Sequence, residues 1–173
     1  MSSRIKLALI AAACAAPFVL GTLAYWLGWG TGSPGNYGEL IQPRPLAAPP
    51  VAALRGKWIL VTLDAAACDA ACERKLYFVR QVRKAQGKEM DRIERLWLVT
   101  DGAKPKGELL SALEGAHVER ADAKLVAQFP GDARRHIYLV DPLGNLMMRF
   151  PPDPEPKKVI KDLERLMKYS RVG

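Results

Sequence analysis

Hydrophobic residues are placed by one rule in the first thirty positions and by another in the rest of the chain. Residues 7–29 read LALIAAACAAPFVLGTLAYWLGW, with no charge and 19 of 23 positions apolar. A helix of that length is about 34 Å long, enough to cross the hydrocarbon core of a bilayer. Beyond residue 55 the apolar positions form shorter groups with two periods. Residues 58–63 (WILVTL), 95–100 (RLWLVT) and 136–141 (HIYLVD) are compact runs rich in β-branched and aromatic side chains. Each predicts a buried strand. Between the first two, Leu76, Val79 and Val82 recur at helical spacing within 72–86, with Arg and Lys on the other face and Gly87 as the stop. Residues 107–114 and 121–129 predict short helices. Residues 142–145 (PLGN) predict a turn, with a further strand at 146–150 (LMMRF) at hairpin distance. Over 155–169, Ile160, Leu163, Leu166 and Met167 share one helical face, and Pro154 and Pro156 suit its first turn.

The resulting order is β-α-β-α-β-β-α. Helices between sequential buried strands imply parallel pairing with right-handed crossovers, and the late hairpin adds an antiparallel strand. This is a thioredoxin-like α/β pattern: a central sheet flanked by helices, here preceded by one N-terminal transmembrane helix. A flavodoxin-like sheet would need another parallel strand and no late hairpin. The expected organisation is an anchor over 1–29, a linker over 30–55 and the thioredoxin-like domain over 56–173. The linker carries five Pro and four Gly, which suits a solvated, semi-rigid tether. Its Tyr37, Leu40 and Ile41 offer docking points on the domain edge or the membrane face.

Charge orients the anchor. Arg4 and Lys6 precede it, and no Lys or Arg follows until Arg44. The positive-inside rule then puts the N-terminus in the cytoplasm and the domain on the extracytoplasmic, periplasmic side of the inner membrane. Tyr25, Trp26 and Trp29 fall where an interfacial aromatic belt would form. A cleaved signal peptide with its site at 22–24 is the competing reading; the apolar run is long for an h-region and continues past that site. Cys14 reads as a small apolar residue inside the span.

The whole chain holds 26 Lys+Arg against 18 Asp+Glu, a net charge of +8. These cations are spread over helix faces among acids, with no aromatic-basic platform, so a nucleic-acid partner is not expected. Anionic lipid head groups or an acidic partner surface suit them better, beside the plainer reading of a solvated face. Three Cys and two His are too few for a disulfide scaffold and leave little for a closed zinc site.

The chemical signal is Cys68 and Cys72, in ACDAACE, just after the first strand and at the start of the first helix. Thiols four apart at such a junction can approach within disulfide range. A helix N-terminus favours the thiolate, the form that attacks disulfides or binds soft metal, and Cu(I) prefers thiolates. His136 is a candidate third Cu(I) ligand or a half-exposed residue at a strand start. His117 reads as a surface loop residue. Met147 and Met148 point to opposite faces of their strand, so at most one can face any site.

The segment LRGKWILVTLDAAACDAAC (54–72) resembles the start of the Sco/SenC family of membrane-anchored, thioredoxin-like copper proteins that assist cytochrome c oxidase assembly. There a strand after Gly-Lys leads to a C-P-x-x-C-P motif. Trp97-Leu-Val-Thr-Asp101 is similar to the family's second strand, and Tyr138-Leu-Val-Asp-Pro-Leu-Gly144 to its Tyr-Leu-x-Asp-Pro-x-Gly strand and turn. The whole also resembles small thioredoxin-like membrane proteins that accompany oxidase assembly factors in bacteria. Asp69 and Glu73 replace the family's two prolines, and Ala133 stands where it carries its copper-binding His.

Three readings follow. In the first, the chain is a metallochaperone or assembly factor that binds or delivers Cu(I) through Cys68 and Cys72, with His136 as candidate third ligand. In the second it is a thiol-disulfide oxidoreductase in which Cys68 attacks and Cys72 resolves, acting on copper-site cysteines of a partner. In the third it is a non-catalytic scaffold. The partners expected are a respiratory oxidase subunit or other assembly factors, and the membrane through the N-terminal helix.

Overall fold

A computed structural model describes residues 2–27 and 35–172. The chain divides into two compact units, 1–35 and 36–173. In the first, helix α1 (Ser3–Trp26) buries none of its residues and is long and apolar enough to cross a membrane. Trp29 and the first part of the expected linker lie outside the described residues. Cys14 is exposed on α1 with a free thiol.

The second unit is a six-stranded sheet flanked by helices. Its elements run β1 (Glu39–Pro45), α2 (Pro49–Ala52), β2 (Trp58–Asp64), α3 (Ala70–Lys84), a 3-10 turn (Gly87–Arg92), β3 (Ile93–Val99), α4 (Gly107–Ala112), β4 (His117–Arg120), α5 (Ala123–Val126), β5 (Ile137–Val140), β6 (Asn145–Phe150) and α6 (Pro156–Tyr169). The strand order is β1-β6-β5-β2-β3-β4. β2 pairs with β3 in parallel from Trp58↔Ile93 to Asp64↔Val99, and β4 continues the parallel half. β5 and β6 form the expected antiparallel hairpin beside β2.

Period-2 alternation explains why the strands read as continuous apolar runs. Ile59, Val61, Leu63, Leu96, Leu98, Tyr138 and Val140 face one side, under Val51, Leu125 and Phe129. Trp58, Leu60, Ile93, Ile137 and Leu139 face the other, under Val79 and Val82 of α3 and Val159 and Leu163 of α6. Both faces are covered, so both must be apolar. The three buried clusters, with the side chains packed against them, come entirely from residues 37–167, so this unit carries a complete core without α1.

Two strands depart from the periodicity. β4 is four residues at the sheet edge, with only Val118 half-buried, too short to show alternation. It carries His117, expected in a loop; its Nε2 sits 3.6 Å from the Glu94 carboxylate. β1 lies inside the stretch read as linker. Its two prolines hide it, yet an edge strand accepts proline because one row of its amides needs no partner. β1 pairs antiparallel with β6 through Glu39↔Arg149 and Leu40↔Met148. The buried Asp162 carboxylate on α6 fastens the residues before it, accepting from the Tyr37 and Gly38 amides at 2.8 Å each. Gly38 is required there: a Cβ would stand 2.7 Å from Met148 Cγ and 2.9 Å from Phe150 Cε1. β1 thus belongs to the sheet unit, which spans 36–173 and not 56–173.

Candidate thiol site

β2 delivers the chain to the site at Asp64, and α3 takes it away at Ala70. The five residues between form a tight corner. The Cys68 amide donates to the Ala65 carbonyl at 3.1 Å, and Cys68 adopts φ +42°, a left-handed conformation unusual for a residue with a Cβ. The Ala66 amide donates to both Asp101 oxygens at 3.2 Å, tying the corner to the end of β3.

Asp69 is the N-cap of α3. Its Oδ1 accepts from the Ala71 and Cys72 amides at 3.0 and 2.9 Å. These bonds, the Cys72 amide first, hold its carboxyl below the usual aspartate range. The helix end that would stabilise a thiolate already has a carboxylate on it. Asp69 thus gives the corner a firm helix start at some expense of thiol acidity.

The turn brings Cys68 and Cys72 together as a disulfide with Cα atoms 5.2 Å apart. Both are buried, Cys68 at 7% exposure and Cys72 at 2%, against Ala66, Leu76, Trp97, Val99 and Leu113. Each opens on its own cavity. Cys72 lines one of about 520 Å³ with Asp64, Lys75, Phe78 and Arg134. Cys68 lines one of about 480 Å³ between α3 and α4, with Leu76, Tyr77, Leu109 and Leu113.

Sequence reasoning missed a charged pair beside Cys72. Asp64, at the end of β2, is buried, with Lys75 Nζ 2.5 Å from its carboxylate and Arg134 Nε 3.9 Å away. Lys75 also donates to the Leu63 carbonyl at 3.3 Å and to the Arg134 carbonyl. Burial pushes the Asp64 carboxyl up, and outweighs the downward pull of Lys75 and Arg134. The signal was present: an aspartate closing an otherwise apolar strand, and a lysine one helical turn past Cys72.

His136 is not brought to the cysteines. Its Nδ1 donates to the Phe150 carbonyl at 2.8 Å, and its ring lies 6.1 Å from Tyr138. By strand alternation it shares the side of Tyr138, opposite to the side on which α3 packs. Ala133, at the position of the family's copper-binding His, is buried in the same cluster as Tyr138. Met148 is buried in the core and Met147 packs at its margin. Among the described residues no three His, Cys, Asp or Glu side chains group as a metal centre.

Residues 58–170 match a family model described as transmembrane-like, thioredoxin-like, C-terminal domain. The chain belongs to this family. The thioredoxin-like domain also has the fold of solved Sco structures. Bradyrhizobium japonicum ScoI with copper bound is 21% identical, with TM-score 0.52, covering 74% of this chain and 98% of that one. Yeast Sco1 with copper bound is 14% identical, with TM-score 0.56, covering 80% and 96%. A putative thioredoxin from Neisseria meningitidis gives 14%, 0.51, 80% and 94%. No curated protein matches the chain by sequence.

Proposed function

We propose that the chain is a membrane-anchored, thioredoxin-like factor for cytochrome c oxidase assembly that binds Cu(I) through reduced Cys68 and Cys72 and passes it to an oxidase subunit or another assembly factor. The observation that carries this reading is the sulfur pair itself, two soft donors held together at the start of α3 in the fold that the copper-bound Sco structures share. Copper is cargo here. Opening the disulfide takes two electrons and two protons from a dithiol donor, and Cu(I) then displaces the two thiol protons. The ligand set is Cys68 and Cys72; His136 joins it only if residues 131–136 rearrange. Arg4 and Lys6 at the start of α1, ahead of its uncharged stretch, favour an inner-membrane anchor with the domain in the periplasm.

Thiol-disulfide exchange is the second reading, favoured by the Cys68–Cys72 bond and by the opening beside Cys68. Reduced Cys68 attacks a partner disulfide, and Cys72 resolves the mixed disulfide. The Cys68–Cys72 bond forms and two partner thiols are released. Titration of the reduced full chain with Cu(I) separates the readings. One tightly held equivalent supports copper handling. Turnover of a disulfide substrate without copper binding transfers the proposal to exchange. Neither activity leaves a scaffold and overturns both.

A further inference from the structure

The exposed face of α6 carries a row of cations in excess of its acids. Lys157, Lys161, Arg165 and Lys168 are all exposed, stand three or four residues apart, and fall within one narrow arc of the helix. Lys158, beside this row, is neutralised by Glu155 at 2.6 Å. Among the described residues none of the four forms an ion pair; Glu164, exposed three residues after Lys161 and four before Lys168, is the one acid beside the row, and Lys168 Nζ rests 5.6 Å from the Tyr169 ring centroid. Like charges at this spacing repel along a helix, and one glutamate among four cations leaves the face with a net charge of about +3.

The route of the chain suggests what the row meets. Tyr37 and Gly38, just before β1, are fastened to α6 through Asp162. The Glu155 amide donates to the Tyr37 hydroxyl at 3.1 Å, and Lys158 lies over the Tyr37 ring. The helix that holds residues following a membrane-span candidate in sequence is thus the one that presents the excess of positive charge.

We propose that this face of α6 docks on a bilayer surface rich in anionic phospholipid, with Lys157, Lys161, Arg165 and Lys168 against the phosphate groups. Such docking holds the domain flat against head groups by charge, a contact that salt weakens. It does not depend on copper binding or thiol exchange.

The test uses residues 36–173, which contain the complete core, and phospholipid vesicles. The domain should sediment with phosphatidylglycerol-containing vesicles at low salt, not with pure phosphatidylcholine vesicles. Combined Lys157→Glu, Lys161→Glu, Arg165→Glu and Lys168→Glu should weaken the binding by at least about tenfold. Combined Lys88→Glu, Lys104→Glu, Arg120→Glu and Lys124→Glu makes the same change in net charge elsewhere on the exposed surface and should leave most of the binding. Thermal melts of both variants check folding. No binding to anionic vesicles overturns the proposal, even if the face later proves to bind an acidic protein. Equal loss in the two folded variants overturns it too, since net charge alone would then explain the binding.

Discussion

The cysteine corner and the histidine corner lie on opposite sides of one sheet, and they treat polar groups differently. Around His136 the bonds close on themselves. Its Nδ1 meets the Phe150 carbonyl, the Tyr138 hydroxyl donates to the Pro130 carbonyl at 2.7 Å, and Arg149 pairs with Glu39 at 2.7 and 3.0 Å. Burial pushes the Tyr138 phenol up to about 12, so it stays a neutral donor. These contacts join β1, β5, β6 and the loop before β5. At the cysteine corner, Cys68 keeps a left-handed backbone, Asp64 is a buried carboxylate, and a cavity opens beside each sulfur. Unusual backbone and shifted carboxyls concentrate where a protein does chemistry. The proposed chemistry rests with the thiols, while the His136 ring is bonded to the Phe150 carbonyl.

Substitutions on the two sides should differ in kind. The largest effect on stability is expected for Lys75→Met. It leaves Asp64 buried without its cation, and should cost about 3 kcal/mol at neutral pH in a denaturant titration. The carboxyl's raised pKa gives that cost a pH signature. A carboxyl raised in the folded state favours folding below its unfolded value, near 3.8, and that contribution is lost as pH rises through the folded value. Asp64→Asn should therefore remove a fall in stability with rising pH above 3.8, measured as melting temperature against pH.

Tyr138→Phe, on the other side, should cost about 1 kcal/mol for the lost bond to Pro130 and leave thiol chemistry untouched. An altered thiol alkylation rate in that variant would break the division between the corners. The smallest change in stability is expected for Asp69→Asn, since asparagine also caps a helix. Removing its charge from the start of α3 should still lower the thiol pKa, seen as faster alkylation of the reduced protein at neutral pH.

Much of this contrast was legible in the sequence. β2, β3 and β5 announced themselves because strands buried on both faces are continuous apolar runs, and α3 and α6 by their stripes. C-x3-C at the strand-to-helix junction marked the thiol corner. β1 was hidden by Pro43 and Pro45, since a proline-rich stretch reads as a tether until a neighbouring strand is known. Asp64 and Lys75 flank the two cysteines in sequence, yet their pairing shows only once β2 and α3 pack together. The side on which His136 lies was decided by alternation from Tyr138, which requires the strand limits first.

The most direct test of the difference is Cu(I) affinity of the reduced full chain, measured by competition with a chromogenic chelator, for the wild type and the Cys68→Ala, Cys72→Ala and His136→Ala variants. The account predicts one Cu(I) per chain, lost in either cysteine variant and retained with near wild-type affinity in His136→Ala. A reduced wild-type chain that binds no Cu(I), or binding that survives the loss of either cysteine, would contradict it.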